Sequence, residues 1–261
     1  MVEDTVRTRT RSEALRWLGL VYGLSALPLS LAVWAYWAVF LANLPPRETP
    51  WIEPTVSVGP ALDPLPALAV DLGLILLFGL QHSLMARRGV KHRIGRFVAP
   101  DLERATYVHA SNAVFLLLLV AWQPVPITLW DAGDGPLEDA VWAVYALGWG
   151  VLISSLVAID AAELLGARQA WAWFRGRPHE PLPLKMRWPY SQVRHPLYLG
   201  VLIICWAAPY MTAGHLLFAA AFTAYVAIGI RYEERDLLRN GGGSYSSYRR
   251  AVPALLPKLW K

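Results

Sequence analysis

The run Arg194-His195-Pro196-Leu197-Tyr198-Leu199-Gly200 joins two basic side chains to a helix start. Proline suits the first position of a helix, where its missing N–H costs nothing. The free N–H groups of that first turn, with Arg194 and His195 beside them, make a place for a carboxylate or phosphate. Tyr198 adds a ring face or a hydroxyl. The plainer reading is a basic pair extending to a membrane interface. A second group is Glu233-Glu234. Adjacent carboxylates repel unless a cation lies near them. Arg231 and Arg235 are the ordinary candidates, and a cationic ligand is the other. A third group is Gln81-His82-Ser83, with Glu103 and Arg104 further on. A histidine in such a place titrates near neutrality or simply packs between helices. A ligand carrying both a carboxylate and a positive charge would satisfy the first two groups together, and S-adenosylmethionine has both. The chain shows no strand, glycine-rich turn and helix unit of the soluble nucleotide-binding type. Any such site must therefore be assembled from helices and the cytoplasmic tail.

The elements that position these residues read as membrane spans. Hydrophobic residues make up 56% of the 261 and charged residues 16%, against about 25% charged in soluble chains. Apolar runs long enough to cross a bilayer are expected at about Trp17–Leu41, Leu65–Met85, Ala105–Trp122, Ala140–Leu165, Leu197–Tyr210 and Ala213–Ile230. The fifth is short and forms a helical hairpin with the sixth, joined near Met211–Gly214. Of the 24 Lys and Arg, all but Arg47 fall before the first run, in the second and fourth connections, or after the sixth. The third connection has Asp131, Asp134 and Glu138 and no basic residue. This alternation predicts about six spans with both termini cytoplasmic. The expected fold is all-α, a polytopic integral membrane protein of one domain, residues 1–261, in the cell inner membrane. Residues 1–16 form a cytoplasmic tail, 17–230 the bundle and 231–261 a helical cytoplasmic cap. Within the cap, a short charged helix at Glu233–Asn240, a hinge at Gly241–Gly243 and a second helix at Tyr245–Val252 are expected. The loop between Pro45 and Pro66 reads as an irregular connector.

Other classes are set aside by composition. One cysteine, Cys205, excludes an internal disulfide and any multi-cysteine metal site. The six histidines are scattered, so no metal is implied. The formal charge of +5 is explained by orientation in the bilayer, so no nucleic acid is expected. The N-terminus lacks the short apolar segment of a cleaved signal.

Three ordered motifs, Arg194-His195-Pro196-x-Tyr198-x-Gly200, Glu233-Glu234-x-x-Leu237 and Tyr245-x-x-Tyr248-x-x-x-Val252-Pro253, resemble the C-terminal signature of membrane methyltransferases, the group of isoprenylcysteine carboxyl and phospholipid methyltransferases. Gln81-His82-Ser83-Leu84-Met85-Ala86-Arg87, Glu103-Arg104-Ala105-Thr106-Tyr107, Trp122-Gln123-Pro124-Val125-Pro126, Leu165-Gly166-Ala167-Arg168-Gln169 and Met211-Thr212-x-Gly214-His215-Leu216-Leu217-Phe218-Ala219 narrow it to a resemblance to methanethiol S-methyltransferases. The similarity covers about residues 65 to 257. Two departures stand out. Asp160-Ala161-Ala162-Glu163 replaces an Asn-His-Phe-Asp run, and Ala105 replaces a serine.

The resemblance implies methyl transfer from S-adenosylmethionine to methanethiol, giving dimethyl sulfide. By it, Arg194, His195, Pro196, Tyr198 and Gly200 belong to the cofactor site. Glu233 lies near the cofactor's charged end, Glu234 shapes that site, and Gln169 is a further contact. A sulfonium methyl is already activated, so positioning and exclusion of water are the main tasks; His82 is the candidate base. The expected partners are a small apolar thiol and the lipid bilayer; oligomeric state is not indicated. The rival readings are a methyltransferase of the same architecture acting on a prenylcysteine carboxylate, a lipid amine or a larger thiol, and a non-enzymatic NnrU-like protein or transporter.

Overall fold

The computed structural model describes residues 12–43, 54–180, 182, 187–240 and 242–257. Arg7, Arg9, Arg11, Arg47, Lys185, Lys258 and Lys261, part of the proline-rich connector and Gly241 of the expected hinge lie outside them.

The first helix, α1 (Glu13–Ala42), starts where Ser12 accepts a hydrogen bond from the Leu15 amide and ends at Asn43 with φ 51°. Pro64 opens α2 (Pro64–Met85). A short basic helix, α3 (Arg88–Ile94), leads to α4 (Glu103–Val120). A strand, β1 (Thr128–Asp131), precedes α5 (Pro136–Ile159), which opens with proline and carries Glu138 and Asp139 in its first turn, where acidic groups favour the helix dipole. Two short helices follow, α6 (Ala161–Leu164) and α7 (Ala167–Phe174). Then come α8 (Pro196–Trp206), β2 (Tyr210–Thr212), α9 (Ala213–Asn240) and α10 (Gly242–Ala251). The chain is thus mostly helical, and α1, α2, α5 and α9 are long and apolar enough to cross a membrane.

The expectation from sequence needs four corrections. The fold is not purely α, since β1 and β2 pair antiparallel, with Trp130 opposite Met211 and Asp131 opposite Tyr210. The fourth run stops at Ile159, not Leu165, because Asp160 takes φ 70° and its carboxylate caps α6 through the Glu163 amide. The fifth run is helical only to Trp206 and is not joined to the sixth by a simple turn. Eleven helical residues reach about 16 Å, and the chain continues extended into β2. The backbone exposed there is satisfied across the ladder: the Ala132 amide donates to the Pro209 carbonyl, and the Ala213 and Gly214 amides donate to the Ile127 and Val125 carbonyls. The charged helix at 233–240 is not separate either. No breaker lies between Ile230 and Glu233, so α9 runs unbroken to Asn240.

Aromatic side chains fill the bundle. Trp37, Phe40, Phe115, Trp122, Phe218 and Phe222 form one buried cluster, with Trp37 edge-on to Phe115 and Trp122 edge-on to Phe218. Leu18, Leu76, Leu147 and Val157 stay exposed, as suits faces turned toward lipid. Small residues allow close approach at two seams. A Cβ at Gly19 would overlap the Trp173 ring and one at Gly23 would overlap Ala170, so α7 seats against α1. Gly148 and Gly200 bring α5 and α8 into backbone contact.

Candidate functional site

The His82 end of α2 packs against α4 and α9, and α9 packs in turn against α8 and α10. Pro196 opens α8 with His195 at its N-cap. The Arg194 and His195 amides donate to the Pro253 and Ala254 carbonyls at 2.8 and 3.0 Å. The tail after α10 therefore holds the entry to α8 by its backbone. Tyr248 hydroxyl donates to the Tyr190 carbonyl at 2.6 Å, and burial raises the Tyr248 phenol above its usual range.

The two adjacent glutamates part company here. Glu234 is an ion-pair hub: Arg194 Nε lies 2.8 Å from its Oε1, His195 Nε2 3.2 Å from the same oxygen, and Arg249 Nε 3.1 Å from Oε2. Arg194 also donates to the Arg249 and Val252 carbonyls. The cation that relieves the pair thus comes from Arg194 and Arg249, not from Arg231 or Arg235. Arg235 instead lies over the Tyr232 ring. Glu233 stays available. Its side chain is 45% exposed against 11% for Glu234, with Oε2 3.7 Å from His195 Nδ1. Tyr198 stacks on His195 at 5.6 Å between rings and hydrogen-bonds Glu233.

His82 sits in an aromatic box. Its Nδ1 is 3.1 Å from Ser111 Oγ, and Nε2 has no hydrogen-bond partner among the described residues. Tyr107, Phe78 and Tyr225 stand 5.1, 5.4 and 6.3 Å from its ring. Ser111 also bonds Tyr107. Tyr225 brings α9 into this box about two turns before Glu233. Arg104 extends the chain of polar groups, lying over the Tyr107 ring and donating from Nε to the Leu164 carbonyl.

Gln169 donates to the Glu163 carbonyl at 3.1 Å and to Glu163 Oε1 at 3.3 Å, while His179 Nε2 lies 2.9 Å from that carboxylate oxygen. Gln169 Oε1 and Glu163 Oε2 are buried without hydrogen-bond partners among the described residues, so a ligand with N–H or O–H groups would find acceptors here. The departures from the family run have local work of their own. Asp160 pairs with Arg168, and that hydrogen bond holds its carboxyl below the usual range. Ala105 is fully buried where Gly166, at φ 93°, brings α7 against α4. A Cβ at Gly166 would lie 2.7 Å from the Ala105 amide.

Of the residues assigned from sequence, Arg194, His195, Pro196, Tyr198, Glu233 and Glu234 come together. His82 stands in the neighbouring box, and Gln169 belongs to the Glu163 group. Gly200 is different: it faces the α5 backbone, so its observed contact is helix packing rather than a ligand pocket. Tyr225, Ser111 and Arg249 were not singled out. A lone tyrosine or serine in an apolar span carries no pattern, whereas Arg249 lies within the tail motif already noted.

No family model matches the chain, and no solved structure matches it. Methanethiol S-methyltransferase from Mycobacterium tuberculosis is 38% identical over 242 residues, covering 93% of this chain and 97% of that protein. The enzyme of the same name from a Pseudomonas species is 40% identical over 241 residues, 92% of this chain and 90% of the relative. Nurim from Xenopus laevis is 33% identical over 180 residues, 65% of this chain and 62% of that protein. Similarity of this extent to the two enzymes spans the His82 box, the α8 entry and the glutamate pair alike, and the chain belongs to the methanethiol S-methyltransferase family.

Proposed function

We propose that this protein is a membrane methyltransferase that moves a methyl group from S-adenosylmethionine to methanethiol, releasing dimethyl sulfide. The observation that carries the reading is the separation of roles at Glu233 and Glu234. One carboxylate is neutralised by Arg194 and Arg249 and contacted by His195, and its neighbour is left accessible beside Tyr198. Family membership supplies the thiol as acceptor.

The residues present fit the cofactor. Glu233 offers a carboxylate to its cationic end, and Tyr198 offers a ring and hydroxyl beside it. Gln169 and Glu163 offer buried acceptors to hydroxyl or amino groups. When bound, S-adenosylmethionine supplies a methyl group already activated by the sulfonium charge. The chain then has to hold the acceptor in line and keep water out. Phe78, Tyr107 and Tyr225 give the His82 box apolar walls. Aromatic rings also make favourable contacts with sulfur. Ser111 holds His82 by Nδ1, which leaves Nε2 to accept the thiol proton.

In the bilayer, six passes with both termini cytoplasmic place this site at the cytoplasmic face. One domain then comprises residues 1–261, with α10 and the tail as a cap. The fifth pass combines the half-length α8 with the extended segment through β2, which pairs along one edge with β1. The inner membrane is the expected location.

The test is an acceptor competition in detergent with methyl-labelled S-adenosylmethionine, methanethiol, a prenylcysteine and a phospholipid amine. Label should pass to methanethiol. Label passing to the prenylcysteine or the lipid would reassign the acceptor, and absence of cofactor binding would remove the enzyme reading.

A further inference from the structure

Tyr225 lies on α9 about two turns before Glu233, in a stretch otherwise apolar. Its position is specified from α2. Tyr225 Oη is 3.2 Å from Ser83 Oγ. One turn earlier, Gly79 faces its ring, and a Cβ at Gly79 would lie 3.4 Å from two ring carbons. An alanine there would already touch the ring, and a side chain longer than alanine would push it away from α2. The Cδ2–Cε2 edge of the ring is therefore set against α2 at Gly79, with the hydroxyl at its tip held by Ser83. From there it stands edge-on to His82 at 6.3 Å and 6.1 Å from Phe78. Phe78 in turn stacks on Phe222, which closes the space behind it.

We infer that Tyr225 is the wall that sets the size of the methyl acceptor: it closes the His82 box on the α9 side and leaves room for a thiol with a short alkyl group. This rests on the acceptor site proposed above. Apolar pockets discriminate poorly against smaller molecules but exclude larger ones by filling their volume. One methylene is worth roughly 10- to 200-fold in specificity. Removing the phenol ring should open the box along α9 to longer alkyl chains. Tyr225 is a specificity residue here; it is not required to exchange a proton.

The experiment compares kcat/KM for methanethiol and 1-butanethiol, read by release of the demethylated cofactor, in the wild-type protein and in Tyr225→Ala, Tyr225→Leu and Tyr225→Phe. Tyr225→Ala should raise the butanethiol-to-methanethiol ratio by about tenfold or more, with S-adenosylmethionine affinity held within about twofold. Tyr225→Leu, which keeps apolar packing if the alanine variant does not fold, should raise the ratio by a smaller factor. Tyr225→Phe keeps the ring and loses only the Ser83 bond, so its ratio should stay near the wild-type value. Equal losses with both thiols in the alanine and leucine variants would overturn the size wall while leaving the methyltransferase standing. A wild-type protein that binds cofactor but methylates neither thiol would overturn the acceptor reading and the wall with it.

Discussion

Gly200→Ala tests whether the α5–α8 seam positions the site. A Cβ at Gly200 would lie 2.8 Å from the Leu152 amide nitrogen, 2.9 Å from the Gly148 carbonyl oxygen and 2.9 Å from Leu152 Cβ. Ordinary non-bonded carbon contacts are about 3.5–4.0 Å, so the helices must separate by roughly 0.5–1 Å. Two of the obstructing atoms are backbone and cannot swing aside. Overpacking of this kind costs about 1–3 kcal/mol, or a fall in Tm of roughly 2–10 °C for a chain of this size. Because His195 is the N-cap of α8 and Tyr198 lies in its first turn, the shift also reaches the proposed cofactor site. Misplacement by about 1 Å can cost on the order of 10²-fold in rate. Gly148→Ala should be milder, since its Cβ would meet the Ile203 and Ile204 side chains. The assay is a thermal melt in detergent paired with turnover at saturating substrates. An unchanged melt and full turnover in Gly200→Ala would refute the reasoning that these two backbones are in contact.

The glutamate pair should separate by assay. Glu233→Gln should leave the melt near wild type and weaken S-adenosylmethionine binding by roughly tenfold or more, the worth of a charge-assisted hydrogen bond. Glu234→Gln should instead destabilise the protein by up to about 3–5 kcal/mol, because Arg194 is left half-satisfied in a largely buried place; Arg249 is half-exposed and adds little. Truncation after Ala251 removes the Val252, Pro253 and Ala254 carbonyls that hold Arg194 and His195, and calorimetry should find cofactor binding lost. His82→Ala should lower turnover by about 10²–10⁴-fold and flatten its rise with pH if the imidazole takes the thiol proton; an unchanged pH profile removes that role.

Much of this arrangement was legible because its signals are periodic or adjacent. Apolar runs flanked by basic clusters marked the helices, and Pro196 after His195 marked the start of α8. Adjacent Glu233 and Glu234 announced an electrostatic problem, although the sequence could not say which carboxylate would be neutralised. That depends on Arg249 arriving from α10, a contact set by tertiary packing. The β1–β2 ladder was hidden for a different reason. Tyr210-Met211-Thr212 is apolar enough to continue a span, and only the length of α8 reveals that the chain must run extended. Gly200 read as part of a ligand motif, since a glycine that admits a ligand and one that admits a helix look the same in one dimension. Tyr225 gave no signal at all, because Gly79 and Ser83, which place it, are small residues on a distant helix.

The most direct measurement is headspace gas chromatography over the purified protein with S-adenosylmethionine and methanethiol. Dimethyl sulfide should accumulate only when both are present and should fall sharply in the still-folded Glu233→Gln variant. Its absence from the wild-type headspace, with the protein folded and both substrates supplied, would contradict the account.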